Sequence, residues 1–156
     1  MEKYEEYRTK AVEKIKVADH MLTVTFPMVK DPRMLPVILQ NVFLGVSYGI
    51  QSVLAFERLY KRVPMYADDF KSRLEMFRSR CVDRMKFNKE IVNKAREIRQ
   101  ILLKHQKSKT EFAKEDCFVI CSDDYNTIKI TEKMIGQYLY LAKGFVHDAA
   151  FKVRRK

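Results

Sequence analysis

Residues 34–56 read MLPVILQNVFLGVSYGIQSVLAF and contain no Asp, Glu, Lys or Arg. In a chain with 33% charged residues, so long an uncharged run is either the central helix of a packed domain or a membrane span. Five polar residues bear on the choice. Gln40, Asn41, Tyr48, Gln51 and Ser52 gather on one side of a helix, while Ile38, Leu39, Val42, Phe43, Val46, Ile50, Val53 and Leu54 take the other. The spacing predicts a central helix whose apolar face meets a core. Its second face is polar but uncharged, and such a face is usually covered by another helix or a second subunit. The membrane span is the less favoured alternative.

The sequence on both sides of this run extends the helical reading. Upstream, Tyr4, Ala11, Ile15, Ala18 and Leu22 repeat at helical spacing, so a first helix is expected from Glu2 to about Val29. Asp31-Pro32 breaks it and offers a cap and a first-turn proline to the next helix. Downstream, Val63-Pro64 marks a loop, and Phe70, Leu74, Phe77, Cys81 and Met85 form a third apolar stripe amid Arg73, Arg78, Arg80 and Arg84. Asn88 caps a fourth helix running to about Gln106. The stretch KSKTEFAKEDCFVICSDDYNT reads as a long connection, extended around Cys117–Cys121, in which Asp123, Asp124 and Thr127 offer caps or turns. A last helix follows from about Ile130 to Val153, with Met134, Tyr138, Leu141, Ala142, Phe145 and Ala149 as its core stripe. Only four Gly and four Pro occur in 156 residues, which argues against a many-stranded β fold. No repeat or linker divides the chain. The expectation is one all-α domain over residues 1–156, an antiparallel bundle of four or five helices.

Net charge is +11, and most of it falls in Lys71–Lys109, where 13 Lys/Arg stand against 4 Asp/Glu. Such a segment is either a solvated basic surface or the footprint of an anionic partner, nucleic acid first. Cys81, Cys117 and Cys121 lack zinc spacing, and no His/Cys/Asp cluster suggests a metal or cofactor. No secretory n-region and h-region opens the chain, so a reduced, cytoplasmic protein is expected, with a Cys117/Cys121 redox pair as the lesser alternative.

The fourth helix carries the candidate chemistry. With Ile91 at 0° and ~100° per residue, Ile98, Leu102, Ala95, Val92 and Leu103 fill an arc from about −20° to about 120°. Arg99 falls at about 80°, inside this arc, and His105 at about −40°, on its edge. An arginine there needs an acid, a carbonyl or water, or snorkels past the edge. A histidine in the last turn is also favoured as a cap by the helix dipole. His20 and His147 have weaker claims.

The Arg99-x5-His105 spacing, late in a bundle whose uncharged second helix carries Tyr48, resembles the HEPN superfamily. These are all-α domains, including small archaeal and bacterial ones, marked by an Arg followed four to six residues later by a His. The resemblance implies a homodimer that binds RNA and cleaves it without a metal, some of its members being toxins of toxin–antitoxin pairs. The 2′-hydroxyl would attack the adjacent phosphorus and leave a cyclic phosphate. It implies Arg99 as the phosphate ligand and His105 as the acid/base, roles that suit a planar guanidinium and an imidazole. Gln100, and Asn41 or Tyr48 from the second helix, would help orient the phosphate, and Arg96, Lys104, Lys107 and Lys109 would steer the strand. Active members usually carry Asn, Asp or His after the Arg, where this chain has Gln100. The alternative is a non-catalytic basic bundle that binds RNA or a protein such as a nucleotidyltransferase-like partner. Gly136, Tyr140 and Gly144, with His147 beside them, form a second face of the last helix and a candidate surface for a protein partner.

Overall fold

The computed structural model of the chain describes residues 2–122 and 126–154. Helix α1 (Lys3–His20) runs through a π-helical turn (Met21–Thr25) into the short α2 (Phe26–Val29). The first helix expected from the sequence is therefore one rod with a π turn near its end. Asp31 accepts a hydrogen bond from the Arg33 amide (3.0 Å) and starts the turn leading into α3 (Leu35–Leu59). Asp69 caps α4 (Phe70–Phe77) by accepting from the Ser72 amide at 2.8 Å. A second π-helical turn (Arg78–Val82) prolongs α4, and α5 spans Glu90–Lys107.

The charge-free run is the central helix. Leu35, Ile38, Leu39, Val42, Ile50, Val53 and Leu54 are fully buried, and α3 packs against α1, α4, α5 and α6. It is long and apolar enough to cross a membrane, yet 56% of its most apolar window is buried inside this fold. Its uncharged polar face is covered in part by α1 and the π turn that follows it: Tyr7 stacks on Tyr48, and Asn41 Nδ2 lies 3.9 Å from Met21 Sδ. Two glycines set the closeness of the packing. A Cβ on Gly45 would lie 2.4 Å from Ile15 Cδ1 of α1, and one on Gly49 would lie 2.8 Å from the Phe145 ring of α6 (Glu132–Lys152). The directions alternate: Arg8 near the start of α1 donates to the Val153 carbonyl, while Lys143 pairs with Asp19 near its end.

The long connection is a folded element. Strands β1 (Thr110–Lys114), β2 (Cys117–Cys121) and β3 (Thr127–Thr131) form an antiparallel meander in the order β1-β2-β3. Glu111 faces Ile120 and Ala113 faces Phe118 across the first pair, while Phe118 faces Ile130 across the second. Phe118, Ile120 and Ile130 join the helical core. The expected extended stretch at Cys117–Cys121 is thus the middle strand, and the bundle is mostly helical with a small sheet at one end. Thr127 opens β3, so it is not a cap; Asp123 and Asp124 lie outside the described residues. Cys117 and Cys121 sit four residues apart on one strand, about 13 Å along it, which is beyond disulfide reach. Burial pushes the Cys81 thiol up to about 11.

The last helix corrects the sequence reading. Because β3 takes Ile130, α6 starts at Glu132, capped by Thr131. Its buried stripe is Ile135, Leu139, Ala142, Phe145, Val146 and Ala149, while Met134, Tyr138 and Leu141 are half-buried.

Candidate nucleic-acid interface

Helix α5 amphipathically separates two environments. Its buried residues Ile91, Val92, Ala95, Ile98 and Leu102 fix the helix against the core. Lys89, Asn93, Arg96, Gln100 and Lys107 then fall within about 60° of one another on a different face. All five are exposed. They span about 27 Å along the helix, from Lys89 to Lys107.

This face borders α4. A groove of about 480 Å³ between the two helices is lined by Phe70, Lys71, Leu74, Glu75, Arg96, Arg99 and Gln100. A smaller one of about 240 Å³ follows on the same seam, lined by Arg78, Val82, Asp83, Lys89, Val92 and Asn93. The larger groove gathers three of the residues singled out in the sequence, Arg96, Arg99 and Gln100, and adds Lys71. Arg99 does not sit in an ion pair among the described residues. Its guanidinium lies 4.9 Å from the centre of the Phe70 ring, which itself packs on Phe43 of α3. This answers where a guanidinium on the core-facing arc goes: it covers a buried aromatic face and stays half-buried at the groove wall. Glu75 is the acid of the groove. It pairs with Arg78 and, at 3.7 Å, with Arg96. Arg78 beside it holds the Glu75 carboxyl below the usual carboxylate range.

The other basic residues divide by partner. Arg73 pairs with Asp68, Lys89 with Asp83 and Lys94 with Glu97. Arg84 and Arg62 both pair with Glu57, a fully buried carboxylate. Lys71, Arg99, Lys104, Lys107 and Lys109 make no ion pair among the described residues, nor do Arg80 and Lys86 of the same segment, and Arg96 is held only by its long 3.7 Å pairing with Glu75.

His105 lies elsewhere. Its Nδ1 is 2.5 Å from Glu111 Oε2 of β1, and its ring meets Phe118 of β2 edge-on, centroids 5.8 Å apart. On the helix it is turned about 120° from Arg99 and about 9 Å further along the axis. The basic face of α5 points roughly 160° away from it. One chain therefore does not bring Arg99 and His105 to a shared cleft. Asn41 and Tyr48 do not join Arg99 either. They lie against the π turn and α1 respectively, on the far side of α3 from Phe43, the residue that touches Phe70. Glu111 and Lys71 were not singled out in the sequence, since each is brought to its site by a different element.

No protein-family model matches the chain, and no curated protein and no solved structure matches it. Its function is read from the site alone. Among the described residues no three His, Cys, Asp or Glu side chains come together as a metal site. The α6 face is open: nothing lies within 4 Å of a Cβ placed on Gly136 or Gly144, and Tyr140 is 79% exposed.

Proposed function

We propose that this protein binds RNA through the α4–α5 face, with the phosphate backbone seated along Lys71, Arg96, Arg99 and Gln100 and steered by Lys104, Lys107 and Lys109. The observation that carries this reading is the groove itself, which sets three cations and an amide around a single acid that is already paired. Guanidinium forks suit phosphate oxygens, and Gln100 can donate to one. Phe70 is buried beneath Arg99, so the groove offers no exposed ring for a base to stack on. Binding is then read from the backbone, with little sequence preference and a strong dependence on salt.

A second reading is HEPN-like cleavage without a metal, favoured by the His105–Glu111 pair, which joins an imidazole to a carboxylate. It needs a homodimer in which Arg99 of one copy meets His105 of the other. The Gly136/Tyr140/Gly144 face is the surface we assign to a protein partner, such as a nucleotidyltransferase-like protein.

Fluorescence anisotropy of a labelled single-stranded RNA across a salt series tests binding. With about four phosphates neutralised, the logarithmic slope should be roughly −3, at ~0.7 per contact on a single strand. Arg96→Ala and Arg99→Ala should each flatten it by about 0.7. No binding at low salt, or slopes unchanged in both variants, sinks the proposal. Incubation of structured RNAs in EDTA, wild type beside His105→Ala, tests cleavage through the appearance of 2′,3′-cyclic phosphate ends.

A further inference from the structure

The end of α5 is tied to the sheet at one point. The Ser108 hydroxyl, just past the helix, shares its one proton between the carbonyls of Thr110 (2.9 Å) and Cys121 (2.8 Å), which holds the start of β1 and the end of β2 at the helix terminus. The β1–β2 register then puts Glu111 opposite the fully buried Ile120, on the side of the sheet that also presents Phe118. His105 lies against both. Its Nδ1 stands 2.5 Å from Glu111 Oε2, and the edge-on contact with Phe118 fixes the plane of the ring. Both side chains are mostly shielded, with 34% of His105 and 22% of Glu111 exposed. An ionised carboxylate only accepts hydrogen bonds, so the proton of this bond sits on Nδ1. The second ring nitrogen, Nε2, has no hydrogen-bond partner among the described residues.

We propose that Glu111 is a positioning residue that holds His105 in the Nδ1–H tautomer and reserves Nε2 as its one proton-transfer atom. The β1–β2 hairpin is the device that delivers this carboxylate to the helix end. A histidine that merely capped the helix would turn a ring N–H toward the last carbonyls of α5; here the ring is engaged by the sheet instead. The second nitrogen of a functional imidazole is commonly set by the hydrogen bond made at the first. The inference rests on the cleavage reading for its purpose, though not for its geometry.

The test is a long-range 1H–15N correlation spectrum of protein labelled on histidine nitrogens, recorded at a pH where the imidazoles are neutral. His20 and His147, both exposed, serve as internal references. Wild-type His105 should show the Nδ1–H pattern, and Glu111→Ala should lose it while the two references stay unchanged. Should Glu111→Ala fail to fold, Glu111→Gln keeps the side-chain volume and should show a mixture of tautomers. An Nε2–H pattern in the wild type, or the same tautomer with and without the carboxylate, overturns the inference. In the EDTA cleavage experiment Glu111→Gln should lower the rate at least tenfold with RNA affinity unchanged. A wild type that does not cleave removes the cleavage reading, and the spectrum alone then decides the role of Glu111.

Discussion

Glu57 is the residue whose environment departs most from its type. It directly follows the uncharged run, near the end of α3, is fully buried, and gives one carboxylate oxygen to Arg62 and the other to Arg84. The two arginines are close to half exposed, which makes the cluster asymmetric. Removing the carboxylate leaves guanidiniums that can return to water. Removing both guanidiniums strands a buried charge, which costs about 3–5 kcal/mol. Urea unfolding should therefore find Arg62→Ala/Arg84→Ala far less stable than Glu57→Leu, and the reverse order would mean that the carboxylate is hydrated after all. The pairing also ties Arg84, one of the cations counted in Lys71–Lys109, to a carboxylate outside that segment, so the local charge counted there overstates what a ligand meets. Glu57 could not be singled out beforehand. It is six residues from Val63-Pro64, beside a helix end where an exposed acid is unremarkable, and only the fold brings Arg84 to it.

At the scale of elements, the glycines separate packing from opportunity. Gly49 in α3 is pressed by the Phe145 ring, which in turn packs on Phe77 and Phe87. Gly49→Ala should cost about 1–3 kcal/mol, because an aromatic ring held by two others cannot step aside cheaply. Gly144 in α6 faces open space, so Gly144→Ala should stabilise an isolated chain by about 0.8–1 kcal/mol. Chemical denaturation compared with sedimentation settles both: a Gly144→Ala variant that loses stability along with an oligomer shows that the open face is packed by a partner. The α5–α6 contact has its own signature. Tyr138 donates to Glu97 at 3.1 Å, and burial together with that carboxylate pushes the phenol up to about 12. A folded-state value above the unfolded one means that this contribution is complete below about pH 10 and fades toward pH 12. Urea midpoints taken at rising alkaline pH should fall, and Tyr138→Phe should flatten the part of that fall above pH 10. The helices carrying these contacts were legible because their apolar residues recur over many turns. The sheet was not, because TEFAK and TIKIT are five-residue edge strands with polar outer positions, and only CFVIC, shielded on both faces, is apolar enough to stand out.

For the molecule as a whole, the question is whether anion binding belongs to one face or to the +11 charge at large. Arg96, Arg99 and Gln100 were legible as a group since they occupy successive turns of one helix, whereas their union with Lys71 and their separation from His105 follow from how α4 and the sheet dock on opposite sides of α5. A diffuse effect of net charge would respond equally to any two reversed cations. A seated backbone would respond only to those it touches. Arg96→Glu/Lys107→Glu on α5 and Lys3→Glu/Lys16→Glu on α1 lower the net charge by the same amount, and all four side chains are exposed. Measured with the same RNA at one salt concentration, the α5 pair should weaken binding at least tenfold, about 1.4 kcal/mol, through lost contacts and new repulsion. The α1 pair should change it by no more than about threefold, the residue of long-range attraction left by screening. Equal losses in the two pairs would dissolve the groove into a generally basic surface, and would make the arrangement of Arg99 over Phe70 a matter of packing.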